Sequence, residues 1–108
     1  MTIRPGDYWV ADILFTDRSA SKKRPILILW LDANDVIAAA VTAAGPRTQT
    51  DVPLADWQAS GLRTASTVRL GRLDCLEQSL LTFYIGHISP GDAQQIKSTW
   101  DRHVKPQF

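Results

Sequence analysis

The apolar residues of this chain change period once, at Ser89. Between Asp7 and Ile88 they fall in short extended-chain segments, alternating or wholly apolar, broken by Gly, Pro and polar clusters; from 89 to 104 they follow the helical repeat. DYWVADILF (7–15) sets Trp9, Ala11, Ile13 and Phe15 on one side, after the turn pair Pro5-Gly6. ILILWL (26–31) does not alternate and reads as a strand covered on both faces. Pro25 is its expected first residue, and TDRSASKK (16–23) an expected polar hairpin loop before it. DVIAAAVTA (35–43) is a strand of small side chains, where another backbone or a partner can approach closely. After the turn formers AGPRTQT (44–50), TDVPL (50–54) is a short strand held at an edge by Pro53, and ADWQASG is a turn closed by Gly61. STVRL (66–70) and RLDCL (72–76) flank Gly71, where a bulge or sharp bend is expected, and LLTFYIGHI (80–88) is the last extended segment.

In SPGDAQQIKSTWDRHV, Ser89 is a helix N-cap, Pro90 fits the first helical position and Asp92 completes an S-x-x-D box. Ala93, Ile96, Trp100 and Val104 then form one stripe. The expected fold class is therefore mainly β. Residues 1–108 make one domain of six or seven strands curled into a small barrel, with the C-terminal helix over one opening or face.

A formal net charge of +1 excludes a polyanion binder held by bulk charge, so any affinity for nucleic acid must come from local clustering. The densest cluster is Lys22-Lys23-Arg24, which runs directly into Pro25 and the apolar strand. Pro25 holds Arg24 extended. No apolar run approaches the ~18 residues of a membrane span, the N-terminus lacks a signal peptide's apolar core, and Cys75 stands alone. These features favour a reducing cytoplasm and exclude a disulfide framework. Two distant histidines and one cysteine do not make a metal site. Cys75, Trp9 and Trp30 are expected in the core, His87 on the surface, His103 in the last helical turn and Trp57 in a buried corner.

The order of PGDYWVADILFTD, SKKRPILIL, Val41-Thr42, TDVPL, Gly61-Leu62, STVRLGRL and IGHIS resembles the MazF/PemK family of bacterial toxins, over nearly the whole chain. The resemblance implies an SH3-like barrel of the CcdB/PemK type that forms a two-fold homodimer. It also implies cleavage of single-stranded RNA without a metal or cofactor, by attack of the RNA's own 2′-hydroxyl. A cognate MazE-like antitoxin, whose acidic tail occupies the RNA groove, is the implied partner. The positions matching the family's motifs are Arg24, Thr42 and Arg69.

Those residue types suit the chemistry. In-line attack on a phosphodiester concentrates charge on the non-bridging oxygens, which a guanidinium meets bidentately and a hydroxyl meets with one further hydrogen bond. Lys22, Lys23 and Arg47 are expected to bind RNA through the loops at 16–23 and 44–50. Two positions depart from the family. Ala43 stands where many relatives have a serine, and Gly71 where the PemK-like branch has an aspartate that takes the 2′-hydroxyl proton. That branch also has a histidine in the first loop, a place filled here by TDRSAS; Asp17 lies near and is the candidate to substitute as proton acceptor, although a loop aspartate is more often a turn residue. These gaps keep two alternatives open: a non-enzymic CcdB-like toxin that acts on gyrase through its C-terminal end, and a degenerate barrel kept for antitoxin binding.

Overall fold

The computed structural model describes residues 2–14 and 20–108. Its strands are β1 (Asp7–Leu14), β2 (Ser21–Asp32), β3 (Asp35–Thr42), β4 (Asp51–Pro53), β5 (Thr67–Glu77) and β6 (Leu81–His87), followed by the helix α1 (Pro90–Thr99). All six strands belong to one antiparallel sheet in the order β4-β5-β3-β2-β1-β6. The expected mainly β fold with one C-terminal helix is the observed one. The ladder ends at β4 and β6, so the curl comes from bulges rather than from hydrogen-bonded closure.

The largest bulge is in β5. Ala39 pairs with Leu73 and Ala40 with Arg69, leaving Leu70, Gly71 and Arg72 unmatched. This is the bend expected at Gly71, and its position is crowded: a Cβ there would lie 2.9 Å from Thr50 Oγ1. A smaller shift in β2, between Ile28 and Trp30, corrects one expectation. Trp30 does not enter the core; the bulge turns it outward, 41% exposed, where it meets Trp100 edge to face at 5.8 Å. Leu31 is exposed as well, so only the first half of ILILWL is covered on both faces.

A second difference concerns the cations. Residues 21–23 are strand, not loop, because β1 and β2 continue as a two-stranded ribbon in which Leu14 pairs with Ser21 and Ala11 with Arg24. The pairing of β2 with β3 begins only at Ile26. Pro25 thus has a ladder neighbour on one side alone, the edge-like position in which a sheet tolerates proline.

Two cores lie on the two faces of the sheet. Tyr8, Leu27, Ala39, Val41, Val52, Val68 and Leu70 face α1, which contributes Ile96, with Trp100 and Val104 packed beside it. Trp9, Ala11, Ile26, Ile28, Val36, Ala38 and Leu76 form the second core. Each large side chain buried this way contributes about 1.5–3 kcal/mol.

The helix is held by polar contacts at its start. Ser89 Oγ accepts from the Asp92 N–H at 3.1 Å, as the capping box requires. The buried Asp92 carboxylate does not return to Ser89; it accepts from Ala55 N at 2.9 Å and Asp56 N at 3.0 Å, tying the turn after β4 to the helix. The same turn docks on β6, where Gly86 meets the Ser60 carbonyl too closely for any side chain. After Thr99 the helix widens into one π turn, Trp100–Val104, closed by Lys105 N–H donating to Trp100 O at 3.0 Å. Tyr8, buried beneath α1, has its phenol pKa pushed up by burial, with the Asp92 charge adding to the shift.

Removing both acceptors in Asp92→Ala should cost about 2 kcal/mol or more, because charge-assisted bonds are lost and two amides are left without partners. Urea unfolding should show a lower midpoint with an unchanged slope, and Asp92→Asn should fall between that variant and the parent.

Candidate active site

Strand register assembles the three positions that the sequence singled out. On the face of the second core, one row of cross-strand neighbours runs Asp51, Arg69, Ala40, Ile26, Trp9 through β4, β5, β3, β2 and β1. The next row toward the end of the sheet runs Pro53, Thr67, Thr42, and continues two residues beyond the last β2–β3 pair to Arg24, which pairs with Ala11. Alternation puts Arg24 on the face of Ile26 and Ile28, and puts Arg69 opposite in sense to the core residues Val68 and Leu70. Arg24, Thr42 and Arg69 therefore share one face at one end of the sheet. Strands β2 and β5 flank β3, roughly 10 Å apart across it, and the small side chain of Ala40 lies between. Two guanidinium arms can reach into that space from either side.

The three residues are held differently. Arg24 is exposed and forms no ion pair among the described residues. Arg69 is partly buried, with Nε 3.5 Å from Asp51 Oδ1. Thr42 Oγ1 accepts from Ala44 N–H at 3.2 Å, so its hydroxyl proton stays available to a ligand. Lys22 lies on the face of Arg24, opposite Ile13. Lys23 points to the other face and pairs with Asp12 at 3.2 Å. Arg47 is exposed in the loop before β4, and its backbone N–H donates to Asp51 Oδ2 at 2.9 Å. Asp17 lies outside the described residues.

Asp51 is the residue that sequence reasoning missed at this site. Its only signal was its place in TDVPL next to the edge-forming Pro53, and nothing local shows that it reaches across to β5. A second missed group lies at the opposite end of β1. The fully buried Asp7 accepts from Arg4 N–H at 2.9 Å and is linked through Oδ1 to His87 Nδ1 at 2.8 Å, fastening the start of β1 to the end of β6. Gly6, at φ +91°, fits beneath that imidazole, with a Cβ position 2.8 Å from His87 Cε1. His87 is thus half-exposed and tethered.

Cys75 is not in the core. It sits on the surface with Sγ 3.8 Å from Asp35 Oδ2, and its thiol pKa is raised, by desolvation first and by the nearby Asp35 and Asp32 charges second. The register shift in β5 is the reason: past the bulge Cys75 pairs with Ile37, outside both buried clusters. Trp57 packs against the helix-side core, as expected of a buried corner. Among the described residues no three His, Cys, Asp or Glu side chains converge as a metal site would need. A separate cleft of about 510 Å³ opens on the helix side, between Leu27, Leu29 and Trp30 of β2 and Ile96, Lys97 and Trp100.

Residues 4–103 match the family model of the PemK-like, MazF-like toxins of type II toxin–antitoxin systems. Among curated proteins none matches the chain by sequence. Among solved structures, an endoribonuclease from mycobacterial species is similar at 18% identity and a TM-score of 0.76, over 100% of this chain and 96% of that one. A mycobacterial endoribonuclease in complex with its cognate antitoxin gives 18% and 0.78, over 99% and 100%. MazF in the MazE–MazF complex from Deinococcus radiodurans gives 15% and 0.70, over 91% and 92%. The family model spans nearly the whole chain, and the chain belongs to the PemK-like, MazF-like toxins of type II toxin–antitoxin systems.

Proposed function

We propose that the chain is the endoribonuclease toxin of its pair and cleaves single-stranded RNA across the face shared by Arg24, Thr42 and Arg69. The observation that carries this reading is the ladder register that sets the three side chains on adjacent rows of one face. In the reaction the 2′-oxygen attacks the adjacent phosphorus as its proton goes to a base, the P–O5′ bond breaks, the 5′-oxygen takes a proton from solvent water, and a 2′,3′-cyclic phosphate remains. Charge grows on the non-bridging oxygens, where the two guanidinium groups and the Thr42 hydroxyl donate. Asp17, three residues past the end of β1, is the carboxylate proposed to take the 2′-hydroxyl proton. Asp51 does not fill that role, because its side chain is only 2% exposed.

Lys22, Lys23 and Arg47 add positive charge around the face and hold the flanking nucleotides. A MazE-like antitoxin with an extended acidic segment would neutralise the toxin by covering the same cations. Family membership and the antitoxin complexes among the similar structures support this partner, and family membership supports a two-fold homodimer. The described residues contain no helix long and apolar enough to cross a membrane. The free, exposed Cys75 suits the cytoplasm, where the RNA is.

Arg24→Ala should lower the cleavage rate by roughly 10²-fold or more and relieve growth arrest, with an unchanged unfolding midpoint because the side chain is exposed. A folded Arg24→Ala variant that cuts RNA at the parent rate would remove this site from the mechanism. Mapped fragments should begin with a 5′-hydroxyl and end in a cyclic phosphate. Deleting residues 105–108, all exposed, should leave cleavage intact, whereas a toxin acting through its C-terminal end would be disarmed.

A further inference from the structure

The Asp51 carboxylate is buried to 2% exposure, yet one of its oxygens has no hydrogen-bond partner of good geometry among the described residues. Arg69 is the cation paired with that oxygen, its Nε 3.5 Å away and likewise buried and without a hydrogen bond among the described residues. A buried carboxylate is tolerated only when a charge answers it, and Arg69 supplies that charge. The other oxygen, Oδ2, accepts the Arg47 N–H at 2.9 Å. The Asp51 backbone N–H donates to Thr48 O at 3.2 Å, and Leu70 N–H donates to Thr50 O at 3.0 Å, so the strand carrying the carboxylate is fastened to the loop before it and to the bulge of β5. One side chain therefore touches two parts of the site: the guanidinium on β5 and the loop that carries Arg47.

We propose that Asp51 is a positioning residue that sets the plane of the Arg69 guanidinium and, through its second oxygen, the place of the Arg47 loop on the RNA face. The inference rests on the reading that Arg69 grips the scissile phosphate. In this role the ion pair at Nε, 3.5 Å long, leaves the two Nη nitrogens for substrate, and that two-nitrogen edge is the one that pairs bidentately with two phosphate oxygens. The side chain of Arg69 is 31% exposed, which leaves that edge reachable while Asp51 stays covered. A guanidinium fixed before substrate arrives needs no reorganisation as charge develops, whereas a free one must be ordered at each turnover. The same carboxylate makes the loop and the phosphate grip one unit, although they lie in separate stretches of sequence.

The two oxygens allow the two roles to be separated. In Asp51→Asn the amide oxygen can still accept the Arg47 N–H, while the amide nitrogen now faces Arg69 Nε as donor against donor. This variant should lower kcat by roughly 10- to 100-fold, with KM within about 3-fold and the mapped cleavage motif unchanged. Asp51→Ala loses both contacts and should lower kcat at least as far while also broadening the motif. A residue that only stabilised the fold would lower the unfolding midpoint and leave kcat per folded molecule at the parent value; that result for a folded Asp51→Asn overturns the proposal.

A measurement on the parent protein stands apart from variants and from activity. In ¹⁵N spectra of the arginine side chains, the Arg69 Nε–H should exchange slowly with water while that of Arg24 exchanges fast; equal, fast exchange at both also overturns the proposal. If Arg24→Ala cuts RNA at the parent rate while Arg69 Nε–H remains protected, the proposed reaction at this face fails and the anchoring by Asp51 stands. If Arg24→Ala is inactive and Asp51→Asn is as fast as the parent, the reaction site stands and the anchoring fails.

Discussion

Everything at the site depends on one row of backbone pairing, in which Ala40 faces Ile26 on one side and Arg69 on the other. Side chains in a sheet alternate with a period of two, so a slip of one residue in either ladder would send Arg24 or Arg69 to the opposite face. The slip is opposed by apolar pairs on both sides of the sheet. Leu27 with Ala39 and Val41 with Val68 lock the helix-side core, and Ile28 with Ala38 locks the other. The cost of moving that much apolar surface into water is what keeps two exposed or half-exposed arginines facing one gap. The bulge at Leu70–Arg72 acts in the same direction, because it lets the far half of β5 follow the core while Thr67–Arg69 keeps the register the site requires.

Three buried carboxylates then fix the connections that the ladder leaves loose. Asp7 holds the backbone of Arg4 and the ring of His87, Asp51 holds the backbone of Arg47 and lies 3.5 Å from the guanidinium of Arg69, and Asp92 holds the backbone of Ala55 and Asp56. Each accepts at least one backbone N–H, and Asp7 and Asp51 also lie against a His or Arg side chain, which together allow a charged group to be buried there. A domain with a small core gains rigidity in its loops this way. At Asp51 the rigid loop is also the one that carries a proposed RNA contact, so the same physics serves stability and binding.

The strands and the helix were legible in the sequence because alternation and the S-x-x-D cap are local signals. The bend at Gly71 and the edge strand at Pro53 were legible for the same reason: one residue type suffices to announce them. What escaped were consequences of distance. The first half of β2 reads as a polar loop because its partner ribbon lies beyond the end of β3, where nothing apolar is needed. Trp30 and Cys75 look like core residues until a register shift turns each of them outward. Arg24, Thr42 and Arg69 were singled out by the family pattern, since no periodicity shows that they meet. The reach of Asp92 to residues 37 and 36 positions away, and of Asp51 to Arg69, is invisible to any local reading.

The central claim is that a phosphodiester sits between Arg24 and Arg69 with Thr42 beside it. The most direct measurement is a crystal structure of the protein with an RNA bearing a single 2′-deoxy nucleotide at the cleavage position, which binds but cannot be cut. The account predicts the scissile phosphate within hydrogen-bond distance of both guanidinium groups and of Thr42 Oγ1. An RNA strand seated instead in the cleft between Trp30 and Trp100, with Arg24 and Arg69 untouched, would contradict it.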